Sequence, residues 1–131
     1  MSYAVNTTEV ISVNIKDQYG DEWKGPFRIK VRLTARDLIE VDRTRRELLG
    51  GVGGTPDESV DAMIRVLSQL KVRVAESPSW WQDLSNGLDS IDWNISVEIF
   101  SAAVKAERAY LDTLRKKVET DVQALKDAAV K

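Results

Sequence analysis

Apolar and polar residues alternate in two segments near the start of the chain. The first covers residues 10–15, and the second runs without interruption over residues 27–33. A period of two residues is typical of a β-strand with one buried face. Turn-forming residues separate the two segments, which together predict an antiparallel β-hairpin over residues 9–33. Because an isolated hairpin is marginally stable, we expect it to pack on helices.

The hydrophobic pattern changes to a helical period after residue 33. Thr34, followed by Asp37 three residues later, predicts a capped helix start, and Gly50 predicts the helix end. The expected buried stripe of this helix consists of Leu38, Val41, Leu48 and Leu49. Residues 50–54 contain four of the seven glycines and are interpreted as a flexible linker between helices within residues 34–87.

A second helix is predicted to begin directly after this linker. Thr55 is its expected N-cap, and Pro56 would take the first helical position, where its missing N–H costs nothing. Apolar residues then recur at helical spacing as far as Val74. Ser77 and Pro78 are expected to close this helix.

The last third of the chain predicts one long helix over residues 88–131. This segment contains no glycine and no proline, and helix-forming residues dominate it. Residues 91–97 also alternate in the manner of a strand, so both structures remain open there. A helix from residue 92 to residue 129 would be roughly 57 Å long. A globule of 100 residues is only about 35 Å across, so we expect the helix to extend beyond its own domain.

The apolar face of this helix changes direction along its length. The first stripe consists of Ile99, Ala102, Ala103, Ala106 and Tyr110. The second stripe, rotated by roughly 100°, consists of Leu111, Leu114, Val118, Val122, Leu125 and Ala129. We expect the first stripe to pack on the protein's own core and the second to contact another chain. The alternative is a bent helix that buries both stripes against the protein's own core.

Composition limits the chemistry that the chain can perform. The 131 residues include no cysteine and no histidine. Thiolate catalysis, cysteine-type zinc sites and the commonest general base are therefore missing. The sequence predicts no catalytic residue, no cofactor and no metal ligand. It also contains no apolar run of membrane-spanning length and no signal peptide, so we expect a protein of the cytoplasm without membrane contact.

Basic side chains are concentrated in residues 26–46, although the net charge of the chain is -2. Arg28, Lys30 and Arg32 share one face of the second predicted strand. Such a face would suit an acidic protein partner better than nucleic acid, since the whole chain is slightly acidic. The alternative is a solvated strand face whose charges discourage edge pairing.

Four tryptophans invite separate interpretations. Trp80 and Trp81 are adjacent, so on a helix they point about 100° apart and cannot enter one pocket together. We expect one of them in the core and the other at a partner interface, where tryptophan is enriched. The alternative is that both cap the core. Trp93 is expected in the core, and Trp23 in the hairpin loop is expected to be exposed.

The order of the elements supports a family resemblance. The residues that carry it are the strand over 27–34, Asp42-Arg43-x-Arg45-Arg46-x-Leu48-Leu49-Gly50, Pro78-x-Trp80-Trp81, and Gly87-Leu88-Asp89. Over residues 10–104 this layout resembles the small tail-assembly proteins of long-tailed bacteriophages. The resemblance implies a helix-rich protein with a small hairpin that binds the tape-measure protein, keeps it soluble and recruits tail-tube subunits. It implies neither enzymatic activity nor a metal.

Together these observations predict a single α+β domain that is mostly α. An N-terminal antiparallel hairpin would pack on three or four helices, the last of them long. We expect a non-enzymatic phage assembly chaperone or scaffold, homo-oligomeric and active on other virion proteins in the cytoplasm of the bacterial host. The alternatives are a structural virion protein, at the head–tail junction or as a decoration subunit, and a bacterial adaptor domain. The expected partner-binding residues are Leu111, Leu114, Val118, Val122, Leu125, Arg28, Lys30, Arg32, Trp80 and Trp81.

Overall fold

Three strands and four helices follow one another in the computed structural model, which describes residues 7–50 and 56–130. The elements are β1 (Thr8–Lys16), β2 (Glu22–Lys30), α1 (Ala35–Leu49), α2 (Glu58–Arg73), β3 (Val74–Glu76), α3 (Ser79–Asp83) and α4 (Asn94–Val130). The predicted α+β class, with an antiparallel hairpin and a long C-terminal helix, is confirmed. Most of the predicted glycine linker lies outside the described residues.

The hairpin forms as the alternating pattern predicts. β1 and β2 pair antiparallel, with Ile11 opposite Phe27. Because side chains alternate along a strand, Val13, Ile15, Phe27 and Ile29 share one face of the sheet, and all four are buried. This face provides the floor of the hydrophobic core.

Trp23 corrects one expectation about the hairpin. It lies within β2 opposite Ile15 and is half-buried, so the prediction of an exposed loop residue is wrong. The loop is shorter than expected because Asp17 closes it: its carboxylate accepts hydrogen bonds from the backbone N–H groups of Tyr19 and Asp21. The indole N–H of Trp23 donates to the same carboxylate over 2.9 Å.

Helix α1 begins as predicted but buries a different face. The Thr34 hydroxyl accepts from the backbone N–H of Asp37, and the Asp37 carboxylate accepts from that of Thr34, which completes a capping box. Leu38, however, is 55% exposed, whereas Asp37 and Thr44 are buried. The reason is that α1 packs chiefly on α2 and lies at the periphery of the core. The expected leucine stripe is therefore only half-buried at its remaining positions.

Helix α2 starts later than the sequence indicates. Asp57 is the N-cap residue and Glu58 the first residue of the helix. Pro56 consequently lies before the helix rather than at its first position, and the expected N-cap Thr55 falls outside the described residues.

The chain leaves α2 at Arg73 because the next three residues form a third strand. In this strand Val74 pairs with Ile29, and Glu76 pairs with Arg28. The sheet therefore has the order β1-β2-β3 with antiparallel neighbours. The prediction that Val74 belongs to the helix is wrong, since backbone pairing with β2 outweighs its helical spacing.

A tight turn after α3 requires glycine at one position. Ser85, Asn86 and Gly87 all have positive φ angles, of 52°, 55° and 96°. A Cβ atom on Gly87 would lie 2.7 Å from the Trp81 ring and 2.8 Å from the Leu67 side chain. The turn therefore brings the backbone into direct contact with the core, which only a residue without a side chain permits.

Helix α4 begins at Asn94, six residues later than the predicted boundary. Asp92 organises this start: its carboxylate accepts from the backbone N–H of Asn94 and from that of Gln18 in the hairpin loop. The strand alternative for residues 91–97 is wrong, because residues 94–97 are helical. Trp93, just before the helix, is half-buried rather than in the core.

The core lies between one face of the sheet and the first turns of α4. Ile95, Ile99 and Ala103, spaced four residues apart, are completely buried. Leu70 of α2 and Trp81 of α3 complete the layer and are also completely buried. The first stripe of the long helix therefore packs on the protein's own core, as expected.

The buried position of Ile29 gives a direct test of this core. We expect Ile29→Ala to lower the free energy of unfolding by about 2–5 kcal/mol, since it leaves a cavity beneath α4. Leu38→Ala, on the exposed face of α1, should change it by only about 0.5 kcal/mol. Urea unfolding of both variants measures the difference. Equal losses would contradict the assignment of these two faces.

The hydrogen bonds to Asp17 also predict a pH dependence. The indole N–H of Trp23 holds the pKa of the Asp17 carboxyl below its ordinary value of 3.8, and the backbone N–H groups of Asp21 and Tyr19 add to this. Because the folded state lowers the pKa, the carboxylate stabilises the fold above the unfolded-state pKa. That stability is lost as the pH falls through the lower folded-state pKa.

We therefore expect Asp17→Asn to destabilise the protein at pH 7. We also expect its free energy of unfolding to fall less steeply than that of the parent protein as the pH is lowered. The exposed Asp83→Asn is the matched control, with the same chemical change outside this cluster. Urea unfolding at a series of pH values between about 5 and 2 measures both slopes. If the free energy of unfolding of Asp17→Asn fell with pH as steeply as that of the parent protein, the Asp17 carboxylate would not cause the pH dependence.

Candidate functional site

Helix α4 continues far beyond the part of the chain on which it packs. Its 37 residues span about 55 Å. Buried and half-buried residues recur along it as far as Tyr110, whereas every residue from Leu111 to Ala129 is exposed. We refer to the segment Leu111–Ala129 as the rod, and to the described residues that precede it as the body. The rod projects from the body, as the length of the helix predicts.

The body packs against α4 up to the start of the rod. Ala106 and Tyr110 pack against the core cluster, beyond the fully buried Ile99 and Ala103. Arg73 of α2, itself only 8% exposed, forms an ion pair with Glu107 one turn before the rod begins. The alternative in which the helix bends and buries both stripes is therefore wrong.

The second stripe lies entirely on the rod and is open to solvent. Its large side chains, between 37% and 71% exposed, are Leu111, Leu114, Val118, Val122 and Leu125. At about 100° per residue they fall within an arc of about 80° and form a straight row. The opposite side of the rod is polar, with Lys116, Thr120 and Asp127. A contiguous apolar row of this kind is typical of an interaction surface.

The predicted basic face on β2 is largely engaged in internal ion pairs. Arg28 pairs with Glu76 of β3 over 3.2 Å. Lys30 pairs over 2.9 Å with Asp37, the capping-box residue of α1. Arg32 lies beyond the end of β2 and forms no ion pair with the described residues. These pairs neutralise much of the positive charge of this face, which favours the solvated-strand alternative over a site for an acidic partner.

The Lys30–Asp37 pair has a clear structural role. The backbone N–H of Thr34 lowers the pKa of Asp37, and the Lys30 ammonium group lowers it further. The ionised carboxylate therefore joins the end of β2 to the first turn of α1. This contact explains why Lys30 is only partly exposed.

The adjacent tryptophans both cap the core. Trp81 is completely buried and packs edge-on against Phe27, with 5.8 Å between the two ring centroids. The prediction that Trp81 binds a partner is therefore wrong. Trp80 is half-buried, lies 5.3 Å from Trp23, and donates its indole N–H to the backbone carbonyl of Lys24 over 3.0 Å. Its ring covers the hairpin near the turn that joins β1 and β2. The alternative that both rings serve the core accounts for these contacts, and the rod is the remaining candidate site.

The described residues offer neither a metal site nor a helix that could span a membrane. They contain no group of three or more acidic side chains arranged to hold a metal ion. None of the helices within them combines the length and apolar character needed to span a bilayer. No protein-family model, no curated protein and no solved structure matches the chain.

The exposure of the stripe predicts that its apolar side chains serve association rather than folding. The double substitution Leu114→Asp with Leu125→Asp should leave the free energy of unfolding within about 1 kcal/mol of the parent value. It should abolish association through the rod, because two charges would be buried at the contact. Thr120→Asp with Gln123→Asp, on the polar side, adds the same charge and should do neither. Urea unfolding and sedimentation velocity measure the two effects, and unfolding of the first variant would place the stripe in an internal core.

Proposed function

We propose that this protein is a non-enzymatic assembly protein of a tailed bacteriophage, a chaperone or scaffold that acts on other virion proteins through its rod. The observation that carries this proposal is the row of five exposed apolar side chains on the part of α4 that extends beyond the body. The layout that resembles tail-assembly proteins supplies the phage context. The cytoplasm of the bacterial host is the proposed location.

The rod suits the binding of an apolar helical segment. A client helix that lays its own apolar stripe along Leu111–Leu125 would exclude water from both, in the manner of helix-in-groove recognition. The body contributes by fixing the direction of the rod through the buried turns before Tyr110. The tape-measure protein, which the family resemblance implies as a partner, is the proposed client.

The size of the stripe favours reversible binding. Burying a fully exposed large apolar side chain contributes roughly 1.5–3 kcal/mol. The five side chains are about half-exposed, and a client stripe of similar size contributes as much again, so the contact gives about 8–15 kcal/mol in total before any cost is subtracted. Association itself costs about 4–15 kcal/mol in lost freedom. The net affinity is therefore modest. A modest affinity suits a chaperone that releases its client better than a structural subunit that stays in the particle.

Co-expression with the tape-measure protein of the same phage tests the proposal. The parent chain should increase the soluble fraction of that client several-fold. Leu114→Asp with Leu125→Asp should lose this effect, whereas the control Thr120→Asp with Gln123→Asp should retain it. Equal effects of both double variants would show that the rod is not the client site.

Purified virions distinguish the chaperone from the structural alternative. A chaperone should be present in infected lysate and absent from mature particles, as measured by quantitative mass spectrometry. A fixed copy number per virion would instead establish a structural subunit.

A further inference from the structure

The stripe on the rod is symmetric about its central residue. Successive members are separated by 3, 4, 4 and 3 residues, with Val118 in the middle. We infer that a second copy of this chain covers the stripe in antiparallel orientation, with the two-fold axis at Val118. In this register Leu111 of each copy faces Leu125 of the other, Leu114 faces Val122, and Val118 faces its own counterpart. Every apolar layer is then filled from both sides.

The charges that flank the stripe match the same register. At about 100° per residue, one flank carries Asp112, Arg115, Glu119 and Lys126, and the other carries Lys117 and Asp121. All six are exposed. In an antiparallel pair each flank faces the same flank of the other copy. Asp112 then meets Lys126, Arg115 meets Glu119 and Lys117 meets Asp121, and the two-fold axis generates each attractive contact twice. Lys117 and Glu119 each also lie near their own counterpart, and the exposed Arg108 lies near Lys126, so fewer repulsive contacts than attractive ones remain in this register.

A parallel pair would place like charges together. Opposite flanks would then face each other, with Arg115 beside Lys117 and Glu119 beside Asp121. One attractive contact, between Lys117 and Glu119, would oppose these. Charge complementarity therefore selects the antiparallel orientation.

The body leaves room for this arrangement. The side chains that bind α4 to its core point about 100° away from the stripe, so a second helix can pass alongside. The two bodies lie at opposite ends of the paired rods. In this register Ala129 of the partner lies level with Glu107, one turn before the rod begins, so a small side chain meets this part of the body. The steps of 3, 4 and 4 residues sum to 11 residues, a period close to three turns of an α-helix, so the two helices need only a weak right-handed supercoil to stay in contact.

This inference rests on the proposed function in one respect: self-pairing covers the surface that a client would use. The dimer is then a storage form that shields the stripe, and a client replaces the second copy. The modest size of the contact suits such an exchange, and the two equilibria are measured separately.

Cysteine cross-linking tests the orientation directly, since the natural chain contains no cysteine. The single variants Leu111→Cys and Leu125→Cys are mixed and mildly oxidised, and the cross-linked tryptic peptides are identified by mass spectrometry. Disulfides between positions 111 and 125 should be several-fold more abundant than those joining identical positions. Lys116→Cys, on the polar side of the rod, is the control and should not cross-link.

A charge exchange tests the register independently. Asp112→Lys alone should raise the dimer dissociation constant about tenfold at low ionic strength, because its two attractive contacts with Lys126 become repulsive. Asp112→Lys together with Lys126→Asp is the combined exchange, and it should restore the parent dissociation constant. The two positions are 14 residues apart, about 21 Å along one helix, so the restoration cannot arise within a single chain. Sedimentation equilibrium over a concentration series measures these constants.

Several results would overturn the inference. Dominant 111–111 disulfides would establish a parallel pair, and efficient cross-linking of Lys116→Cys would show unspecific contact. A monomer at all concentrations would exclude self-pairing while leaving client solubilisation untouched. Conversely, loss of client solubilisation with an intact dimer would contradict the proposed function and not this pairing.

Discussion

The packing of the first turns of α4 against the hairpin is the contact on which the rest of the structure depends. Ile95, Ile99 and Ala103 are completely buried there, against a sheet face that includes the equally buried Phe27 and Ile29. This apolar interface fixes the helix axis relative to the body. Because backbone hydrogen bonds continue along the helix, the rod extends along the same axis without contacts of its own.

The remaining body contacts support this interface at its two ends. At the start of α4, Asp92 accepts hydrogen bonds from the helix and from the hairpin loop, and so joins the two. At the other end, the nearly buried Arg73 pairs with Glu107 and also donates to the backbone carbonyl of Lys30 in β2. A buried cation that lost its partner would be costly, so this pair opposes any rotation of the helix away from the sheet.

The proposed function rests on the surface that the body leaves uncovered. The basic strand face and the tryptophan pair, both plausible recognition features in the sequence, are engaged in ion pairs and in core packing. The rod retains a straight apolar row with charges of both signs beside it. In the proposed pairing, the charges set the register and the limited area keeps the contact reversible. These are the properties that the proposed assembly role requires.

The sequence by itself determined the hairpin, the capping box at Thr34, the long helix and the position of the exposed stripe. Each depends on a period or a cap that neighbouring residues establish among themselves. Tertiary structure alone decided the third strand, the exposure of Leu38 and the burial of Trp81. Val74–Glu76 is too short to show a period, and it becomes a strand only because β2 offers an edge. Leu38 and Trp81 differ in burial because the neighbour that covers an apolar side chain is chosen by the packing of distant elements, about which local sequence carries no information.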